Sequence, residues 1–225
     1  MSTFPDRPVP SHEFIEDVVP SLFAEAELEP AEEAVDLKVG IVLRGDPDPG
    51  PDRDAGGEWT LHFVAGELGI ARGREETCEI TVVQSVADWR SALWEGRPGL
   101  IADLVDQIRE NGPEALRPPG PPGGGPPPDP LKGISDLRGL IEAVIADERG
   151  PDWRVGVLIG PGAIPEAPQA TIRLGAEQAD AIRTGALHPL EALITGQLQL
   201  DGDLGLILQL QAVAMTLSLA SGGAG

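Results

Sequence analysis

The chain has 225 residues, 41% of them hydrophobic and 24% charged, the balance of a soluble globular protein long enough for one or two domains with real cores. Sixteen Lys and Arg stand against 37 Asp and Glu, a formal net charge of -21 that disfavours nucleic acid and anionic membrane surfaces as partners. A lone cysteine, Cys78, excludes an intramolecular disulfide and a cysteine-built zinc site.

In chain order, residues 1–36 are expected to form an N-terminal segment with a helix from about Phe14 to Val35. The first ten residues hold three prolines and no signal-peptide core, which points to the cytoplasm. Residues 37–110 make a first half. Lys38–Leu43 reads as a strand, followed by a hairpin of Glu58–Val64 and Glu67–Ala71 that turns at Ala65-Gly66. Glu79–Val83 is a further strand, and a helix opens at Asp88 and stops at Gly96. The run 117–130, almost all proline and glycine, marks residues 111–133 as a linker.

A second half, residues 134–220, follows the linker. There Leu137–Asp147 reads as helical, Arg154–Ile159 and Ala170–Leu174 as strands, and Glu177–Gly185 as an acidic-started helix. Arg154-Val155-Gly156 echoes Lys38-Val39-Gly40, so the halves read as diverged copies of one unit. Neither copy is complete. The first lacks a closing strand and apolar helix, and the second has only Pro161–Pro168 where a hairpin belongs. One-sided apolar strands are costly when exposed, so the halves are expected to pack together around a shared or abutting sheet.

The most specific stretch runs from Gly185 to Leu210. Pro189 suits a first helical turn, Gly196 ends that helix, and Gln197-Leu198-Gln199-Leu200-Asp201 alternates as a strand with both leucines on one face. Gly202 turns the chain, and Asp203 is a suitable N-cap for an apolar helix starting at Leu204. This helix-Gly-strand-Gly-Asp-helix order resembles the closing half of the sterol carrier protein type 2 family. The resemblance implies a mixed α/β (α+β) fold, a mainly antiparallel sheet covered by helices. It further implies an apolar tunnel for sterols, fatty acids, acyl-CoA or isoprenoid lipids.

Reactive groups are sparse. His12, His62 and His188 lack metal-ligand spacing, no serine sits in a nucleophile elbow, and Gly160-Pro161-Gly162 lacks the lysine of a phosphate loop. His62 is expected on the opposite sheet face from Leu61 and Phe63, and Cys78 at a strand start, half-buried and inert. No catalytic residue, metal site or cofactor is expected. The closing helix is apolar nearly all round and needs a second cover, while Trp89 and Leu93 mark a matching helix in the first half. With the resemblance, these features make Phe63, Trp89, Leu93, Leu193, Leu206, Leu210 and Val213 the candidate lipid contacts. The function expected is non-catalytic lipid binding or carriage without stable membrane insertion. A protein-interaction or scaffold subunit with a closed tunnel, with a protein partner or a second copy, is the alternative.

Overall fold

The computed structural model describes residues 4–26, 35–45, 54–112, 138–147, 150–203, 205–206 and 209. The proline-glycine run and most of the stretch expected to form the closing helix from Leu204 lie outside them. Strands β1 (Asp36–Arg44), β2 (Gly56–Val64) and β3 (Glu67–Arg72) form an antiparallel meander, and β4 (Ile80–Ser85) returns parallel to β1. In the second half β5 (Gly139–Ala146) and β6 (Trp153–Ile159) are an antiparallel hairpin. There β7 (Ala170–Gly175) runs parallel to β5, and β8 (Leu198–Gly202) closes antiparallel to β7. Antiparallel pairing of β4 with β6 joins everything into one sheet of order β3-β2-β1-β4-β6-β5-β7-β8. The fold is mixed α/β, and its two halves share that sheet.

Register carries one apolar face across the seam. Val39 and Ile41 lie opposite Leu61 and Trp59, then beside Ile80 and Val82 of β4, which face Ile159 and Val157. From there Ile141 and Ala143 lead to Ala170 and Ile172, and Ile172 to Leu200. Period-two alternation puts all of these on one side. The hairpin turn at Ala65-Gly66 has both residues at positive φ, 52° and 76°, the twist that a two-residue connection between antiparallel strands requires.

Helices follow the parallel strands. Helix α3 (Val86–Trp94) opens on a reciprocal cap. The Asp88 N–H donates to Ser85 Oγ at 3.0 Å, and Ser85 Oγ–H donates to the Asp88 carboxylate at 2.6 Å. Helix α4 (Gly99–Asn111) follows, with α5 (Ala176–Arg183) and α6 (Pro189–Ile194) in the second half. Before β1, α1 (Ser11–Glu13), a π-helical stretch Phe14–Val18 and α2 (Val19–Phe23) make one irregular helical segment.

Three expectations are corrected. Leu137–Asp147 is not helical: its described part is β5. Its buried residues Leu140, Ile141, Val144 and Ile145 have the i, i+1, i+4, i+5 spacing of a helix face, but here they bury both faces of a central strand. The second half therefore has a hairpin, β5–β6, and what it lacks is a counterpart of β3. The match of Lys38-Val39-Gly40 with Arg154-Val155-Gly156 also fails, because β1 runs parallel to β4 whereas β6 is the hairpin partner of β5. Glu79–Val83 and Ala170–Leu174 do hold equivalent places, each next to and parallel with the first strand of its half. Finally, Cys78 is fully buried in the turn before β4, with its sulfur 4.0 Å from Thr60 Oγ1.

Candidate functional site

The apolar face carries two separate clusters. In the first half Leu43, Trp59 and Leu61 of the sheet, with Val86, Trp89 and Val105 of α3 and α4, close on Phe4, Phe14 and Ile15. The rings meet mostly edge to face. Phe14 lies 5.4 Å from Trp89, 5.6 Å from Trp94 and 5.5 Å from Phe4, and Phe23 lies 5.6 Å from Phe63. In the second half Ile141, Ile159 and Ala170 pack with Leu206, flanked by Val157, Ile172 and Leu200.

The candidate lipid contacts thus fall into groups. Phe63, Trp89 and Leu93 belong to the first cluster and Leu206 to the second. Leu193 is half-buried on α6, while Leu210 and Val213 lie outside the described residues. Leu206 is 6% exposed, and its N–H donates to Asp203 Oδ1 at 2.9 Å. Asp203 is therefore the expected cap of the closing helix. Gly202, at φ 113°, makes the turn before it, where an added Cβ would lie 2.2 Å from the Gln169 carbonyl oxygen.

Sequence reasoning missed that the proline-rich start is core. Phe4, Phe14 and Ile15 are 5 to 7% exposed. The available signal was Phe14, Ile15, Val18, Val19 and Leu22, apolar at helical spacing. Polar contacts ring this apolar contact surface. The Ser11 hydroxyl donates to Asp54 at 2.7 Å, and the Trp94 indole donates to the Pro5 carbonyl at 2.8 Å. The Glu16 carboxylate accepts from Arg72 at 2.6 and 2.8 Å and from the Trp59 indole at 2.9 Å. These bonds, that from Arg72 first, hold its pKa at about 2. Burial pushes the Asp54 carboxyl upward, but hydrogen bonds from Ser11 and Gly56 and the nearby Arg90 charge outweigh it and hold the group below its ordinary value.

Two clefts open elsewhere. One of about 450 Å³ lies at the seam, between Val86–Asp88, Pro98–Gly99 and the side chains of Ile145 and Trp153. In it Arg97 pairs with Asp147 at 3.2 Å and with Glu95 at 3.3 Å, and the Trp153 indole donates to the Asp88 carbonyl at 2.9 Å. The other, about 270 Å³, is lined by Val83, Leu140, Glu142, Arg154 and Gly156. None of the five candidate contacts among the described residues lines either cleft. His62 of β2 pairs with Asp36 of β1 at 2.9 Å. Among the described residues no three His, Cys, Asp or Glu side chains are grouped to hold a metal, and no helix is long and apolar enough to cross a membrane.

Residues 133–215 match the model of the SCP-2 sterol transfer family. No curated protein matches the chain in sequence. Similar solved structures include sterol carrier protein domain 2 of Helicoverpa armigera, 20% identical over 43% of this chain and 80% of that one, with a TM-score of 0.34. Sterol carrier protein 2 like 2 of Aedes aegypti is 20% identical over 51% of this chain and 96% of that one, with a TM-score of 0.30. Sterol carrier protein 2 of Yarrowia lipolytica, in its apo form, is 14% identical over 41% and 76%, also with a TM-score of 0.30.

Proposed function

We propose, from the match of residues 133–215 to the SCP-2 sterol transfer family, that this protein binds and carries a hydrophobic lipid of sterol, fatty acyl or isoprenoid type without acting on it chemically. That match is the observation on which the reading rests. Burying a long chain is favourable by roughly 0.8 kcal/mol per methylene, so such a site needs apolar area and few polar groups. The lipid lies on the second-half face of the sheet, against Leu206 and Leu193, with Leu210 and Val213 continuing the stripe in sequence. Phe63, Trp89 and Leu93 offer a second apolar group in the first half. Support for Leu206 comes from its burial against Ile141, Ile159 and Ala170, and from the cap that fixes where the closing helix begins.

The test is a binding series with fluorescent sterol and fatty acyl probes. Leu206→Phe, provided it stays folded by circular dichroism, is expected to weaken sterol binding more than acyl-chain binding, because added volume excludes the bulkier ligand first. A folded variant that binds every probe like the parent contradicts the assignment of Leu206. A parent that binds none of them contradicts the lipid reading itself.

A further inference from the structure

We infer that the apolar face of the first half is a second site for an alkyl or isoprenoid chain, and that residues 4–23 occupy it until such a chain displaces them. The inference rests on the lipid reading above, and it begins from how this segment is held. The backbone–backbone hydrogen bonds of residues 4–23 run within the segment, as from Phe14 N–H to the Pro10 carbonyl at 3.0 Å, and none joins it to a strand among the described residues; its backbone meets the rest of the fold only through side chains, the Ser11 N–H donating to the Asp54 carboxylate and the Pro5 carbonyl accepting from the Trp94 indole. Lifting it therefore breaks no rung of the sheet. What it contributes is side chains. Phe4, Phe14 and Ile15 are buried on Leu61, Trp59 and Trp89, the same kind of surface that an acyl chain would cover.

The segment has little structure of its own. Three α-helical residues, five π-helical and five α-helical follow one another, with Pro10 before them and Pro20 inside. A helix of that length is marginal in water, so its order depends on docking. Its polar contacts with the rest of the fold are few, and the charged partners it leaves behind stay hydrated or paired. Arg72 is 72% exposed and gains water when Glu16 leaves. Asp54, only 3% exposed, keeps Arg90 at 3.5 Å and the Gly56 N–H at 3.0 Å when Ser11 goes. An apolar centre, a polar rim and no backbone–backbone bonds to a strand describe a docked ligand rather than a strand of the fold. A free chain and the segment then compete for one surface, and weakening the rim favours the chain.

The experiment uses the full chain and parinaric acid, an 18-carbon fluorescent fatty acid, as the probe. Hydrogen exchange of residues 11–24 is followed with and without saturating probe. Exchange there is expected to rise by about tenfold or more on binding, while β1 and β4 stay protected. Glu16→Gln is expected to tighten apparent probe affinity by about threefold to tenfold, since the open form is then more populated. Probe bound with unchanged protection of residues 11–24 and unchanged affinity in the variant overturns this inference and leaves the lipid reading standing. No probe bound by either protein overturns both.

Discussion

At the scale of single residues, the closing turn and the Arg72–Glu16 pair make separate predictions. Gly202 is held at φ 113° beside the Gln169 carbonyl, so Gly202→Ala meets both a backbone clash and a conformation that L-residues rarely adopt. A destabilisation of about 1–3 kcal/mol is expected in urea denaturation, by the usual cost of strained backbone sites. A loss within error of zero would show that the turn relaxes freely. The pair has a pH signature. Glu16 titrates at about 2 in the folded chain against an ordinary 4.5, a depressed value. Its contribution is fully present well above pH 4.5 and is lost as pH falls toward 2. Glu16→Gln should remove that part of the acid dependence, read as a smaller fall in melting temperature between pH 5 and 3. A variant with the same acid profile as the parent contradicts the Arg72–Glu16 assignment.

Among the elements, the N-terminal segment decides how the first cluster behaves. Burial of Phe4, Phe14 and Ile15 is worth roughly 1.5–3 kcal/mol for each side chain, and the partly buried Val9, Val18, Val19 and Leu22 add to it, so undocking costs more than about 5 kcal/mol. At roughly 0.8 kcal/mol per methylene the return grows with chain length, so a long chain competes with the segment better than a short one. Phe14→Ala removes a ring that touches Trp89 and Trp94, a change that typically costs about 3–5 kcal/mol. If docking is separable, exchange of residues 11–24 should rise by at least about a hundredfold while strand protection changes far less. An equal loss of protection throughout would mean that the segment and the sheet unfold only together. Legibility at this scale was uneven. The helix-strand-cap order from Pro189 to Asp203 was readable because proline, glycine and aspartate each have one local duty there. Strand β5 was misread because a strand buried on both faces loses the alternation that identifies it. The proline-rich start looked like a tail, since nothing local announces that Phe4 has a tryptophan to pack on.

At the scale of the whole molecule, the seam between β4 and β6 is where the halves become one sheet. Main-chain pairing there is backed by Gln84 donating to the Arg154 carbonyl at 3.1 Å, by Arg74 donating to the Gly162 carbonyl at 2.7 Å, and by the Arg97–Asp147 pair. A shared sheet was inferable from unpaired edges, although which strands meet was not, because register across 113–137 has no local code. Residues 1–112 expressed alone leave the β4 edge bare, so a broad, weakly cooperative melt is expected. A sharp melt with dispersed amide resonances would instead make the first half an autonomous domain.

The lipid reading itself is tested most directly by native mass spectrometry of the 225-residue chain as isolated and after incubation with a mixture of sterol, fatty acid and isoprenoid alcohol. The account predicts an adduct of long-chain or sterol mass that co-purifies or forms at near-equimolar ligand. The adduct should be released by organic solvent and reduced in folded Leu206→Phe. Bare protein under every condition, with no adduct from any of the three classes, would contradict it.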